Sequence, residues 1–170
     1  MNLRILGLDP GLRATGWGVI DADGNQLRFV ADGVVCSDQK RPLSDRLNDL
    51  FSGLNATITA YSPSECAIED SFVSRHSGST LKLGHARGIA LLAPAARGLV
   101  VAEYKPNLVK KSVVGAGHAG KEQVKAMVRI LLPGSAPTNT DSADALAVAI
   151  CHAHHRATNR RVSTARTNVL

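Results

Sequence analysis

Four carboxylates are spaced along this chain of 170 residues so that folding can bring them together. Asp9 ends the run Leu3-Arg4-Ile5-Leu6-Gly7-Leu8-Asp9, a short apolar strand stopped by Pro10-Gly11. Glu69 ends a second short apolar run, Cys66-Ala67-Ile68-Glu69. Asp141 and Asp144 lie three apart in the first turn of an Ala-rich helix, on one side of it. Each has an ordinary reading, since Asp before Pro-Gly opens turns and acids at a helix N-terminus complement its dipole. Convergence changes the chemistry. If the two strands are neighbours and the helix packs across them, four anions meet at one edge of a sheet, where repulsion forces protonation unless cations intervene. All-oxygen ligands suit Mg²⁺ or Mn²⁺, with water and a substrate phosphate filling the other positions. The chemistry implied is two-metal phosphodiester cleavage: one ion lowers the pKa of the attacking water and the other stabilises the leaving oxygen.

The elements that must position these acids follow from the pattern. Thr15 to Asp21 and Gln26 to Val35 flank Asp23-Gly24-Asn25, a hairpin signal that makes the first three strands a meander. Gly33 is read as a bulge or the end of tight pairing, and Trp17 as core or sheet-face packing. Pro42 opens a helix whose apolar face is Leu43, Leu47, Leu50, Phe51, Leu54, Ile58 and Tyr61, and Ser62-Pro63 ends it. Ser79 to Arg97 reads as a helix with Leu81, Ile89, Leu92 and Ala93 inward. Its Gly84 and Gly88 mark close packing, against another backbone or against the sheet. Leu99 to Tyr104 is a fifth strand, and Pro106 starts a short helix carrying Lys110 and Lys111. Lys121 to Leu132 is a helix with Val124, Met127, Val128 and Leu131 inward and Lys121, Lys125 and Arg129 outward. Thr140 or Asp141 caps the last helix. Phe72, Arg75 and His76 sit on the polar stretch 70–78, where an aromatic between basic residues can stack on a base or fold back on the core.

Charge sets the class of partner. The net charge is +6 and the pI about 9.6, which points to a polyanion. The charge is uneven. Residues 1–77 carry 7 Lys+Arg against 10 Asp+Glu, and residues 78–170 carry 13 against 4. An acidic cluster facing a basic half suits a metal-dependent enzyme on nucleic acid, as it does a solvated surface. Three widely spaced cysteines make neither a disulfide framework nor a zinc pattern, and the contiguous Cys151, His152, His154 and His155 fit no usual zinc spacing. The N-terminal apolar run is too short for a signal peptide and no segment is long enough to span a bilayer, so the expectation is a reducing cytosol. One domain over residues 1–157 is expected, followed by a basic, mobile tail over 158–170.

Taken in order, these motifs resemble the RuvC-type Holliday-junction resolvases of bacteria. The resemblance rests on Ile5-Leu6-Gly7-Leu8-Asp9-Pro10-Gly11 with Thr15-Gly16-Trp17-Gly18-Val19, and on Ala67-Ile68-Glu69. It continues through Leu81-Lys82-Leu83-Gly84 with Ala86-Arg87-Gly88, Val113-Val114-Gly115 and Asp141-Ser142-Ala143-Asp144-Ala145-Leu146-Ala147. Only the tail is unmatched. The resemblance implies an α/β fold of RNase H-like type: a five-stranded mixed sheet, its first three strands antiparallel, with helices on both faces. It places the catalytic, metal-holding acids on Asp9, Glu69, Asp141 and Asp144, with two Mg²⁺ ions per site, for which Mn²⁺ can substitute. The family's junction-probing aromatic falls on Phe72 and its DNA-contacting lysines on Lys110 and Lys121; Arg75 and Lys82 complete the expected DNA-binding set. The implied enzyme is a homodimeric crossover junction endodeoxyribonuclease of the bacterial cytoplasm, active in recombination and repair. It would nick two opposed strands of four-way junction DNA at short thymine-containing sites, leave 5′-phosphate and 3′-hydroxyl ends, and work beside the RuvA–RuvB branch-migration complex.

Three other readings share part of the pattern. Asp-x-Gly after a first strand also opens actin-like ATPases, but those need a second such domain and another glycine-rich loop. A silent DNA-binding module of the same fold would not need four acids. An RNase H-like nuclease acting on RNA or linear DNA would share the metal chemistry.

Overall fold

The computed structural model describes residues 3–70, 77–137 and 139–167, without the side chains at 77, 79 and 157–167. Five strands form one sheet: β1 (Leu3–Asp9), β2 (Ala14–Asp23), β3 (Gln26–Cys36), β4 (Glu65–Glu69) and β5 (Val100–Tyr104). Their spatial order is β3-β2-β1-β4-β5. β1, β2 and β3 pair antiparallel, and β4 and β5 join parallel to β1 and to each other. The helices are α1 (Leu43–Tyr61), α2 (Ser77–Ala96), α3 (Pro106–Val114), α4 (Lys121–Leu131) and α5 (Thr140–Thr167). The sheet and its helices on both faces are those of the RNase H-like expectation.

Alternation along the strands sorts the chain into two cores. Leu6, Leu8, Val19, Cys66 and Ile68 point to one face, with Leu54, Ile58, Ala90 and Ala93 of α1 and α2 over them. Ile5, Ile20, Ala22 and Ala67 point to the other, under Leu146 and the segment 147–151 of α5, with α3 and α4 at its flank. By the same two-residue period, Asp9 and Glu69 share the α5 face with Ile5 and Ala67.

The close seat of α5 depends on missing side chains. A Cβ at Gly7 would run into the Ala145 carbonyl oxygen, and one at Gly16 into the Asp141 carbonyl. Gly16 is also the cross-strand partner of Asp9. The first turn of α5 therefore lies on backbone rather than side chains, directly beside the first acid.

Several local expectations are corrected. Gly33 is not a bulge: it pairs with Trp17, whose indole lies where a Cβ would be, and the register shift falls between Val19 and Ile20, opposite Val30. α2 turns Ala86, Ala90 and Ala93 inward, leaving Leu81 64 % and Leu92 53 % exposed. A Cβ at Gly84 or Gly88 would meet nothing within 4 Å, so neither glycine marks close packing within the chain. α5 is capped by Asn139, whose side-chain oxygen accepts the Asp141 N–H at 2.8 Å and whose carbonyl accepts the Ala143 N–H. Trp17 does pack on the sheet face, its ring 5.5 Å from that of Tyr61.

Candidate active site

A cleft of about 280 Å³ opens at the C-terminal ends of β1 and β4, lined by Asp9, Glu69, Lys110, Lys121, Asp144 and the apolar Val109, Val124 and Ala147. β1 and β4 are parallel neighbours with Leu8 opposite Ile68, so the next residues on each, Asp9 and Glu69, reach the edge side by side. α5 starts over the same edge and adds Asp144, one turn past its Asn139 cap. Asp141 does not line the cleft but acts on both Asp9 and Asp144 through its charge.

The turn that carries Asp9 out of β1 is braced. The Thr15 hydroxyl donates to the Gly11 carbonyl at 2.9 Å, and the Ser37 hydroxyl and the Arg46 guanidinium both donate to the Leu12 carbonyl. None of these contacts is signalled by residue spacing. The sequence does hold one signal for the site beyond the acids: Gly7 and Gly16 lie on the same face as Asp9, and glycine on the buried face of a central strand marks close backbone approach.

Electrostatics separate these acids from ordinary surface carboxylates. Burial, and then the charges of Glu69, Asp144 and Asp141, push the Asp9 carboxyl up to about 8, with Lys121 pulling the other way. Asp144 is pushed up to about 6, by burial first and then Glu69 and Asp141, against Lys121 and Lys110. The Lys121 ammonium stands 3.8 Å from an Asp144 oxygen. A carboxyl that keeps its proton near neutral pH because it is buried and, beyond that, faces other carboxyls is a site short of positive charge.

Among the described residues no group of three or more His, Cys, Asp or Glu is preassembled to hold a metal ion. The acids line an open cleft instead of closing into a cage. That fits Mg²⁺ or Mn²⁺, which bind through one or two carboxylates and keep water and phosphate oxygens in the remaining positions. The all-oxygen donors and the raised Asp9 and Asp144 carboxyls therefore accommodate such ions.

The other expected residues divide. Lys110 and Lys121 line the cleft. Lys82 is exposed on α2 and is not part of the lining. Phe72, Arg75 and His76 lie outside the described residues. Of the histidine run, His152 sits between the Tyr104 hydroxyl (2.9 Å) and Glu65 (2.7 Å), and His154 lies beside Ser112, so each has a structural partner.

Residues 5–152 match the family model for crossover junction endodeoxyribonuclease RuvC. A protein of that name from Rhodospirillum rubrum is 59 % identical over 91 % of this chain and 92 % of its own length. One from Paramagnetospirillum magneticum is 58 % identical over 96 % of this chain and 98 % of its own. The solved structure of T. thermophilus RuvC in complex with Holliday junction substrate superposes with a TM-score of 0.86 at 32 % identity, covering 92 % of this chain and 96 % of that one. The yeast mitochondrial Holliday junction resolvase Ydc2 shares the fold, with a TM-score of 0.73 at 12 % identity, covering 99 % of this chain and 86 % of that one.

Proposed function

The chain belongs to the RuvC family of crossover junction endodeoxyribonucleases, and from that premise we propose that it resolves four-way DNA junctions by paired, symmetric, metal-dependent nicks. The observation that carries the reading is the meeting of Asp9, Glu69 and Asp144 in one cleft, with Asp141 acting on Asp9 and Asp144 through its charge and the Asp9 carboxyl pushed up to about 8. These four acids are the catalytic set and would hold two Mg²⁺ ions, with Mn²⁺ able to substitute. When bound, the ions supply an activated water and stabilise the leaving oxygen, giving 5′-phosphate and 3′-hydroxyl ends.

The chain's own residues do the rest. Without a cation the Asp9 carboxyl holds a proton, which limits repulsion from Glu69 and Asp144. A cation held in the cleft would favour the ionised form of Asp9, leaving both its oxygens available to hold the ion. Lys121 and Lys110, at the rim, draw the phosphate backbone toward the acids. Phe72, Arg75 and Lys82 are proposed to extend the DNA contact beyond the cleft. With a net charge of +6, junction affinity should fall steeply with salt.

Two opposed incisions require two sites related by a two-fold axis, so the working unit is a homodimer. The outer stripe of α2, with Leu81, Gly84, Gly88 and Leu92 turned away from the core, supports that state. The enzyme would act in recombination and repair in the bacterial cytoplasm, beside the RuvA–RuvB branch-migration complex. Residues 1–157 form the nuclease unit and 158–170 a basic tail. Among the described residues no helix is long and apolar enough to cross a membrane.

The test is cleavage of a synthetic four-way junction beside a linear duplex of the same sequence, each with Mg²⁺ and with chelator. Paired nicks in the junction, only with metal, are expected. Equal cutting of both substrates would keep the four-acid site and discard junction selectivity. Binding without cutting would reduce the chain to a DNA-binding module.

A further inference from the structure

Glu69 is held from behind. The residue after it, Asp70, donates its N–H to the Tyr104 carbonyl at 2.8 Å, extending the β4–β5 pairing one step past the strand. Its carboxylate turns to the opposite face of the sheet, where the Arg87 guanidinium of α2 stands 2.8 Å away as an ion pair without hydrogen-bond alignment. The same guanidinium nitrogen donates to Glu103, which is paired in register with Ile68. One cation thus ties the ends of β4 and β5 to each other and to α2. Arg87 is 18 % exposed and Asp70 16 %, so the Asp70–Arg87 pair is screened less than a surface ion pair.

A carboxylate at a strand end moves with the last peptide of its strand. Glu69 has β1 on one side through the parallel register, but its C-terminal side depends on what fixes Asp70. Resting on the metal-nuclease reading above, we propose that Arg87 is a positioning residue for Glu69. Through Asp70 and Glu103 it sets the end of β4, and with it the place of the Glu69 carboxylate in the cleft, from the far face of the sheet and without touching substrate. Groups that orient metal-holding residues in this way typically change metal affinity or activity by about 10- to 100-fold when removed.

The experiment compares the parent chain with Arg87→Ala, Arg87→Lys and Glu103→Gln. It reads the Mg²⁺ dependence of junction cleavage, the rise in Tm produced by Mn²⁺ alone, and junction affinity in chelator. Arg87→Ala should raise the Mg²⁺ midpoint about tenfold and shrink the Mn²⁺-induced rise in Tm, with junction affinity unchanged within about twofold. Arg87→Lys, which keeps the charge but loses the planar fork, should recover part of both. Glu103→Gln removes one arm and should shift the midpoint in the same direction by less, which keeps the idea testable if Arg87→Ala does not fold. A folded Arg87→Ala with the parent's Mg²⁺ midpoint and Mn²⁺ response would overturn the assignment, as would loss of junction affinity with the metal response intact. If the parent chain fails to cut junctions, the nuclease reading falls, and the Mn²⁺ response still decides the role of Arg87.

Discussion

The two ends of the sheet use the same strands and the same helix to treat buried acids in opposite ways. At one end, Arg4 of β1 holds Asp21 of β2 through two hydrogen bonds of 2.8 and 3.0 Å. Glu65, at the start of β4, meets Arg156 at 2.6 Å and His152 at 2.7 Å, both from α5. At the other end, β1, β4 and α5 deliver Asp9, Glu69, Asp141 and Asp144 toward one another. The Lys121 ammonium stands 3.8 Å from Asp144, well beyond the pairing distances at the first end. The first end is an electrostatically closed structure. The second is left acidic, and Asp9, pushed up to about 8, registers the deficit. A fold that pairs its buried acids well at one end and crowds them at the other marks the crowded end as the place where something else supplies charge.

The largest effect should come from Asp9→Asn. It removes a proposed metal-holding carboxylate without changing shape, and cleavage should fall by about a thousandfold or more while junction binding in chelator persists. Cutting at the normal rate would break the contrast between the ends.

The same substitution should stabilise the metal-free protein, which is the opposite of what removing a paired acid does. The folded-state pKa of Asp9 is raised above its unfolded value near 3.8, so between pH 4 and 8 the folded state binds more protons than the unfolded. Its contribution favours folding at low pH and is lost as pH rises through 8. At pH 7 without metal, Asp9→Asn should therefore raise stability by something on the order of 1–4 kcal/mol. Saturating Mg²⁺ should reduce or reverse that gain. Denaturation of both proteins at pH 4.5 and 7.5, with and without Mg²⁺, measures it; equal stabilities throughout would mean that the acids do not repel in the folded state.

At the closed end the sign should invert. Glu65→Gln leaves Arg156 and His152 without their carboxylate and should cost about 1–2 kcal/mol. Cleavage at saturating Mg²⁺ should stay within about threefold of the parent, because Glu65, His152 and Arg156 do not line the cleft. A large loss of rate at unchanged stability would show that the two ends are coupled through β4 and α5.

Much of this contrast is legible before folding, and the illegible part has a common cause. Apolar runs, the Asp23-Gly24 turn, Pro106 and three-and-four spacing locate the five strands and five helices of the described residues, and the acids that close two strands and open one helix stand out by position. Which face of α2 is buried is not legible. Its leucines are the larger hydrophobes, yet small Ala86, Ala90 and Ala93 fit against α1 and the sheet, a matter of space between elements rather than of hydropathy. Asn139 as the cap hides behind Thr140 and Asp141, equally good capping residues one and two positions on. Pairings such as Arg4 with Asp21 or Arg87 with Asp70 join residues 17 apart in sequence, and only the register brings them together. Gly33 is misread because glycine in a strand signals either a bulge or a neighbour's ring, and Trp17 decides.

The smallest effect sharpens the comparison most. The Arg4–Asp21 pair is well formed, but the Arg4 side chain is 37 % exposed, so solvent screens it. A double-mutant cycle with Arg4→Met and Asp21→Asn should give a favourable coupling of about 0.5–1 kcal/mol that weakens in 1 M salt. The matching cycle at the crowded end, Asp9→Asn with Asp144→Asn on metal-free protein, should give a coupling of the opposite sign, since the second substitution relieves a repulsion that the first has already removed. Like charges facing each other across a half-buried cleft lose free energy by ionising together, whereas the opposite charges at the far end gain it. Two cycles on one sheet, differing in sign, would show that the same scaffold stores repulsion at one edge and attraction at the other. If both couplings were favourable, hydrogen bonding within the acid cluster would outweigh its charge, and the cleft would have no need of a cation.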